Sequence, residues 1–109
     1  MNNNQKTINA LTALFAPMTE HLETTLLVLN RLGLHARAAA KIAALAQSFR
    51  ATIILEKDGI QADARSILDI LGLGCPQGAE VRLRAAGPEA DTALAAISDL
   101  FRQAFGECA

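Results

Sequence analysis

Asn30-Arg31-Leu32-Gly33-Leu34-His35-Ala36-Arg37-Ala38-Ala39-Ala40 joins two different patterns. Before it runs a short apolar stretch with strand character; after it begins an alanine-rich stretch with helix character. Gly33 supplies a flexible turn, and His35 falls where the helix should begin. A helix start has main-chain N–H groups without intrahelical partners and a partial positive charge, so it favours a bound anion. An imidazole there can take a phosphoryl group as a nucleophile, and Arg37, two positions on, can answer the added negative charge.

On the N-terminal side, Thr24 to Leu29 (Thr-Thr-Leu-Leu-Val-Leu) reads as a strand. On the C-terminal side, Ala36 to about Phe49 reads as a helix. Ile42, Leu45, Ala46 and Phe49 recur at helical spacing, and Lys41, Gln47 and Arg50 are left to point outward. Ala51 to Lys57 is the next strand. Asp58-Gly59 signals a tight hairpin turn, and Ile60 to about Ala64 returns as the partner strand.

Ser66 then precedes a short helical run, Ile67 to Leu71. Serine is a favoured N-cap, and Asp69 three positions on resembles a capping box with Asp in place of Glu. Gly72 and Gly74 end this helix, and Cys75 to Gly78 form a loop. Ala79 to Ala85 alternates as a half-buried antiparallel strand does: Val81 and Leu83 on one side, Glu80, Arg82 and Arg84 on the other. Gly87-Pro88-Glu89 opens the last helix, with Pro in the permitted first turn. Its apolar stripe is Leu94, Ile97, Phe101, Ala104 and Phe105, and Gly106 ends it.

The expected order is therefore β-α-β-β-α-β-α. The expected fold class is α+β: a two-layer open-faced sandwich in which a four-stranded antiparallel sheet is covered on one face by three helices. The 109 residues suffice for one domain with a core of its own. Residues 1–20 are expected to be a flexible N-terminal extension and residues 21–109 the domain. The apolar patch at Ile8, Leu11, Leu14 and Phe15 is interrupted and its charged flank is thin, so it makes a poor signal peptide.

Composition narrows the function. A net charge of −1 gives no electrostatic reason to expect nucleic acid or an anionic membrane, and no run approaches a membrane span. Cys75 and Cys108 form no CxxC pair; they are expected to be free thiols, and neither a disulfide framework nor a metal site is expected. His21, in polar company, is expected to be incidental.

The residues from about Thr24 to Gly106 resemble the histidine-containing phosphocarrier protein (HPr) family of the bacterial phosphoenolpyruvate-dependent phosphotransferase system. Gly33-Leu34-His35-Ala36-Arg37-Ala38-Ala39 looks like that family's G-[LIM]-H-A-R-P-A site. Arg65-Ser66-Ile67-Leu68 looks like its K-S-[ILV]-[ML] segment, followed by Leu73-Gly74 and Gly78. The resemblance implies that His35 accepts phosphate on Nδ1 from phosphorylated Enzyme I, that Arg37 stabilises it, and that it passes to an A-type Enzyme II component. It implies a cytoplasmic, monomeric protein without cofactor that is not an enzyme but a covalent intermediate in a relay. Ser66 resembles the serine that an HPr kinase/phosphorylase modifies in some bacteria. Leu68 and Leu71, with Arg65 and Lys41, are the expected partner-binding residues. Ala38 stands where the family usually has Pro, which affects backbone preorganisation and not chemistry.

Two readings compete from other classes. A small acyl-phosphate hydrolase would need a polar group to position water, and only Asn30 stands near the motif. A binding module that never carries phosphate has no use for the histidine. Within the carrier reading, sugar-uptake and nitrogen-related branches share the architecture. The Asn30 to Gly33 lead-in and Gly87-Pro88-Glu89-Ala90 look like the nitrogen type, whereas Arg65 to Leu68 leans toward serine-regulated carriers.

Overall fold

The computed structural model of the chain describes residues 20–107. Residues 1–19 of the expected N-terminal extension, and Cys108, lie outside them. The elements are β1 (Leu22–Leu27), α1 (Ala36–Ala46), β2 (Thr52–Lys57), β3 (Ile60–Asp63), α2 (Ile67–Gly72), β4 (Glu80–Ala86), α3 (Ala90–Arg102) and a 3-10 turn (Ala104–Gly106). The four strands form one sheet in the order β1-β4-β2-β3, and each neighbouring pair is antiparallel.

Alternation along the strands builds the two faces. Leu26, Ile53, Leu55, Ala62, Val81, Leu83 and Ala85 turn inward and are buried. The three helices cover them with Ala38, Ala39, Ile42 and Ala46 from α1, Ile70 from α2, and Ala93, Ile97 and Phe101 from α3. The opposite sheet face stays open and is tied by charge. Arg84 pairs with Glu56, and Arg82 Nη2 lies 2.5 Å from Glu23 Oε2. His21, expected to be incidental, is part of this edge: its Nε2 lies 3.1 Å from Glu23 Oε1.

Several boundaries move for identifiable reasons. β1 begins at Leu22 and ends at Leu27, not at Thr24 and Leu29, because β4 provides partners from Ala85, opposite Leu22, to Glu80, opposite Leu27. α1 stops at Ala46 and the chain winds through a turn up to Phe49. α3 begins at Ala90, so Gly87-Pro88-Glu89 is a turn ahead of it. It ends at Arg102, before the stripe of apolar residues does. Ala104 and Phe105 adopt left-handed φ values of 53° and 56°, and this turn, not a continued helix, buries Phe105 with its ring 5.0 Å from Phe101. The hairpin reading holds: Asp58 and Gly59 both have positive φ, as a tight turn matched to strand twist requires.

Candidate functional site

The turn from β1 into α1 is built by Asn30 and Gly33. Asn30 is fully buried, and its Nδ2 donates to the Gly33 carbonyl at 2.7 Å. Gly33 has a φ of +70°, and its Cα faces the Cys75 carbonyl so closely that any Cβ would collide with it. The neighbouring Leu34 N–H donates to that carbonyl at 2.9 Å. The loop before β4 thus forms the wall against which the turn is fixed.

This turn delivers His35 to the N-cap of α1 in an extended conformation. Its Nδ1 accepts from the Arg37 N–H at 3.3 Å, and its Nε2 lies 2.6 Å from Glu107 Oε2. The two contacts together assign the tautomer: a nitrogen that accepts an N–H has its lone pair free, and one that faces a carboxylate carries the proton. The ring side chain is about one-quarter exposed, at 25%. The helical ladder starts with the Ala39 N–H on the His35 carbonyl, at 2.8 Å, so the Arg37 N–H ahead of it is free of the ladder and available to the ring. Arg37 is exposed beside it. Ala38 is fully buried at the third helical position, ahead of the first ladder bond, where a proline would remove no helical hydrogen bond.

Glu107 completes the arrangement. Its Oε1 accepts from Asn30 Nδ2 at 2.9 Å. That hydrogen bond holds its carboxyl below the usual carboxylate range against the opposing effect of desolvation, helped by the hydrogen bond and charge of His35 and by the Arg37 charge. Glu107 was invisible to sequence reasoning, being 72 positions from His35 with no motif around it. Asn30 had one usable signal: an amide placed just after an apolar strand and three residues before a glycine.

The second motif lies on α2. Ser66 is its N-cap, and its Oγ accepts from the Asp69 N–H at 3.2 Å. The reciprocal half of the expected capping box is absent. Asp69 Oδ2 instead accepts from the Asp63 N–H at 3.2 Å, and the Ser66 N–H donates to the Asp63 carbonyl at 2.9 Å. Aspartate is one methylene shorter than glutamate, and its carboxylate finds the strand end instead. Ile70 faces the core, whereas Leu68 is 80% exposed and Ile67 and Leu71 are also exposed. Leu32, beside the first motif, is a further exposed apolar residue that the sequence reading did not single out. Arg65 is exposed, and Lys41 Nζ donates to the Phe105 carbonyl at 2.6 Å.

A nucleophilic nitrogen at a helix start, with its other nitrogen held by a carboxylate, suits acceptance and release of a phosphoryl group. The family model for the PTS HPr component phosphorylation site matches residues 22–103. The chain belongs to the HPr family. It is 40% identical over 86 residues to phosphocarrier protein HPr of Xylella fastidiosa, a match spanning 79% of this chain and 97% of the relative. It is 38% identical over 87 residues, with the same coverage, to phosphocarrier protein NPr of Escherichia coli. Among solved structures it is similar to HPr of Thermoanaerobacter tengcongensis, with a TM-score of 0.77, 41% identity, and coverage of 79% of this chain and 97% of that one. As a member of the HPr family this protein is a phosphocarrier, not a catalyst, and works with enzymes of the phosphotransferase system. Among the described residues of this HPr-family chain, no helix is long and apolar enough to cross a membrane.

Proposed function

We propose that this HPr-family protein accepts a phosphoryl group on Nδ1 of His35 from phosphorylated Enzyme I and passes it to an A-type Enzyme II component in the cytoplasm. The observation that carries this reading is the ring at the N-cap of α1, with Nδ1 accepting from the Arg37 N–H and Nε2 against Glu107. In the acceptor step the Nδ1 lone pair forms the N–P bond while the bond from phosphorus to the donor breaks. The phosphoryl oxygens then meet the partial positive charge of the helix start and the Arg37 guanidinium. The competing hydrolase reading is disfavoured: Asn30 is fully buried and its amide nitrogen is engaged by Gly33 and Glu107, so it has no N–H to offer an attacking water.

Leu68 and Leu71, with Arg65 and Lys41, form the proposed docking residues; a side chain as apolar and exposed as Leu68 is expected to contribute through burial against a partner. Ser66 is the proposed regulatory position. A phosphate on its Oγ would replace the contact to the Asp69 N–H with a charged one and add negative charge beside those apolar residues. Residues 21–109 are proposed to suffice, as a monomer, without cofactor.

The decisive experiment incubates the protein and His35→Ala with phosphoenolpyruvate and Enzyme I. An acid-labile, base-stable phosphate is expected on the wild type alone; label surviving in the variant overturns the assignment. A second reading, a nitrogen-related regulatory carrier, is favoured by the similarity to NPr. Comparing sugar-type and nitrogen-type Enzyme I as donors separates the branches by rate.

A further inference from the structure

We propose that Asn30 is a positioning residue for phosphoryl transfer at His35: it grips the Gly33 residue from both sides and so fixes the turn that sets the imidazole at the start of α1. The inference deepens the carrier reading and rests on it.

Asn30 has no exposure at all, and its Oδ1 finds no partner among the described residues. A buried acceptor without a partner is a cost, so the amide is there for its nitrogen. That nitrogen goes to the residue in the turn least able to hold itself. Gly33 sits at a φ of +70°, and glycine loses more backbone freedom on folding than any other residue. Its N–H donates to the Asn30 carbonyl at 3.1 Å, and its carbonyl accepts from Asn30 Nδ2 at 2.7 Å. Main chain and side chain of one residue thus hold both polar groups of the glycine.

The grip extends to the histidine. The Gly33 carbonyl also accepts from the His35 N–H at 2.9 Å, which closes a three-residue turn about buried Leu34. The Leu34 N–H donates to the Cys75 carbonyl at 2.9 Å and anchors that turn to the loop before β4. One carbonyl therefore links the Asn30 amide to the His35 main chain. Rotating the Gly33–Leu34 peptide would break both of its hydrogen bonds and move His35 relative to the Arg37 N–H, which lies 3.3 Å from Nδ1.

Asn30 takes no part in bond making. In the acceptor step the Nδ1 lone pair forms the N–P bond as the bond from phosphorus to the donor breaks, and that electron pair leaves with the donor. The step needs Nδ1 aligned with the breaking bond, and a misplacement of about 1 Å costs on the order of a hundredfold in rate. The proposed docking residues lie elsewhere: Leu68 and Leu71 on α2, Arg65 ahead of it, and Lys41 further along α1. Loss of the Asn30 amide should slow transfer and leave association intact.

The test uses the full chain with Asn30→Ala and Asn30→Asp, the second placing an oxygen where the donor was. Asn30 Nδ2 also donates to Glu107 at 2.9 Å, so Glu107→Ala, which keeps the amide on Gly33, separates the two contacts. Phosphorylation by phosphoenolpyruvate and Enzyme I is followed against carrier concentration, at a temperature where every variant is folded. Both Asn30 variants are expected to lower kcat roughly tenfold or more and to leave KM within about twofold. In both, the His35 amide is expected to exchange with solvent roughly tenfold faster relative to that of Ile42 in α1, and to keep its rate in Glu107→Ala. Wild-type kcat in Asn30→Ala overturns the inference and leaves the carrier reading intact. An equal loss of His35 amide protection in Glu107→Ala also overturns it, because the effect would then run through the carboxylate. A wild type that takes no phosphoryl group overturns the carrier reading and this inference with it.

Discussion

Asn30 and Glu107 lie 77 positions apart in the chain and meet through a 2.9 Å hydrogen bond from Nδ2 to Oε1. The contact joins the turn after the first strand to the last described residue, whose other carboxylate oxygen lies 2.6 Å from His35 Nε2. Replacing Asn30 with Ala removes the donor to Glu107 and one of the two donors to the Gly33 carbonyl, which still accepts from the His35 N–H at 2.9 Å. Losing these two hydrogen bonds, one of them to a charged carboxylate, costs about 1–3 kcal/mol. Urea unfolding of Asn30→Ala should show a midpoint lowered accordingly, with an unchanged slope. An unaltered midpoint would mean that water replaces the amide.

The stability contribution of Glu107 should depend on pH in a defined sense. Its folded carboxyl titrates below the usual range, mainly because of Asn30, so folding favours the ionised form. That contribution is complete above the unfolded carboxylate value and is lost as pH falls through the lower folded value. The stability difference between wild type and Glu107→Gln should therefore be constant near neutrality and shrink below about pH 4. A difference that instead grows toward acid would contradict the sign.

Gly33 cannot be replaced cheaply. Its φ of +70° disfavours any side chain, and a Cβ would strike the Cys75 carbonyl. Gly33→Ala should destabilise by about 2 kcal/mol or more, because strain and collision add. Calorimetry would measure it as a lowered Tm. By contrast, the φ of +82° at Gly59 comes with open space, so Gly59→Ala meets strain alone.

Leu68 and Ile70 differ by two positions and by everything that matters physically. Leu68 is 80% exposed and Ile70 fully buried. Ile70→Ala should cost about 2–5 kcal/mol through the cavity it leaves. Leu68→Ala should change stability by no more than about 0.5 kcal/mol. On the proposed docking role, Leu68→Ala should nevertheless slow phosphoryl transfer to an Enzyme II component. Normal transfer in Leu68→Ala would remove Leu68 from the docking residues.

Ser66→Ala removes the side-chain oxygen that accepts from the Asp69 N–H, and should cost about 1 kcal/mol, the usual value of an N-cap. Ser66→Asp retains an acceptor and adds charge. It should recover much of that stability while weakening phosphoryl transfer if the regulatory proposal is right. Equal transfer rates in the two variants would leave Ser66 as a cap alone.

Local chemistry was legible in the chain. His35 at a helix start, Ser66 at another and the Asp58-Gly59 turn each depend on residues within a few positions, where capping and left-handed preferences act directly. The alternation of β4 gave its inward face correctly, since the period of two is written in the residues themselves. Boundaries set by a distant partner were less legible. β1 begins at Leu22 because Ala85 is opposite it, and no residue near Leu22 carries that information.

By itself, then, the order of residues determined the element types, the layer arrangement and the place of His35 at a helix start, because each follows from short-range periodicity and capping. Tertiary structure alone decided which nitrogen of His35 is free. That choice depends on Glu107, which a left-handed turn at Ala104 and Phe105, buried Phe105 and the Lys41 hydrogen bond carry back across the fold. Electrostatic contacts of this kind act over a few ångströms in space, and distance along the chain has no part in them.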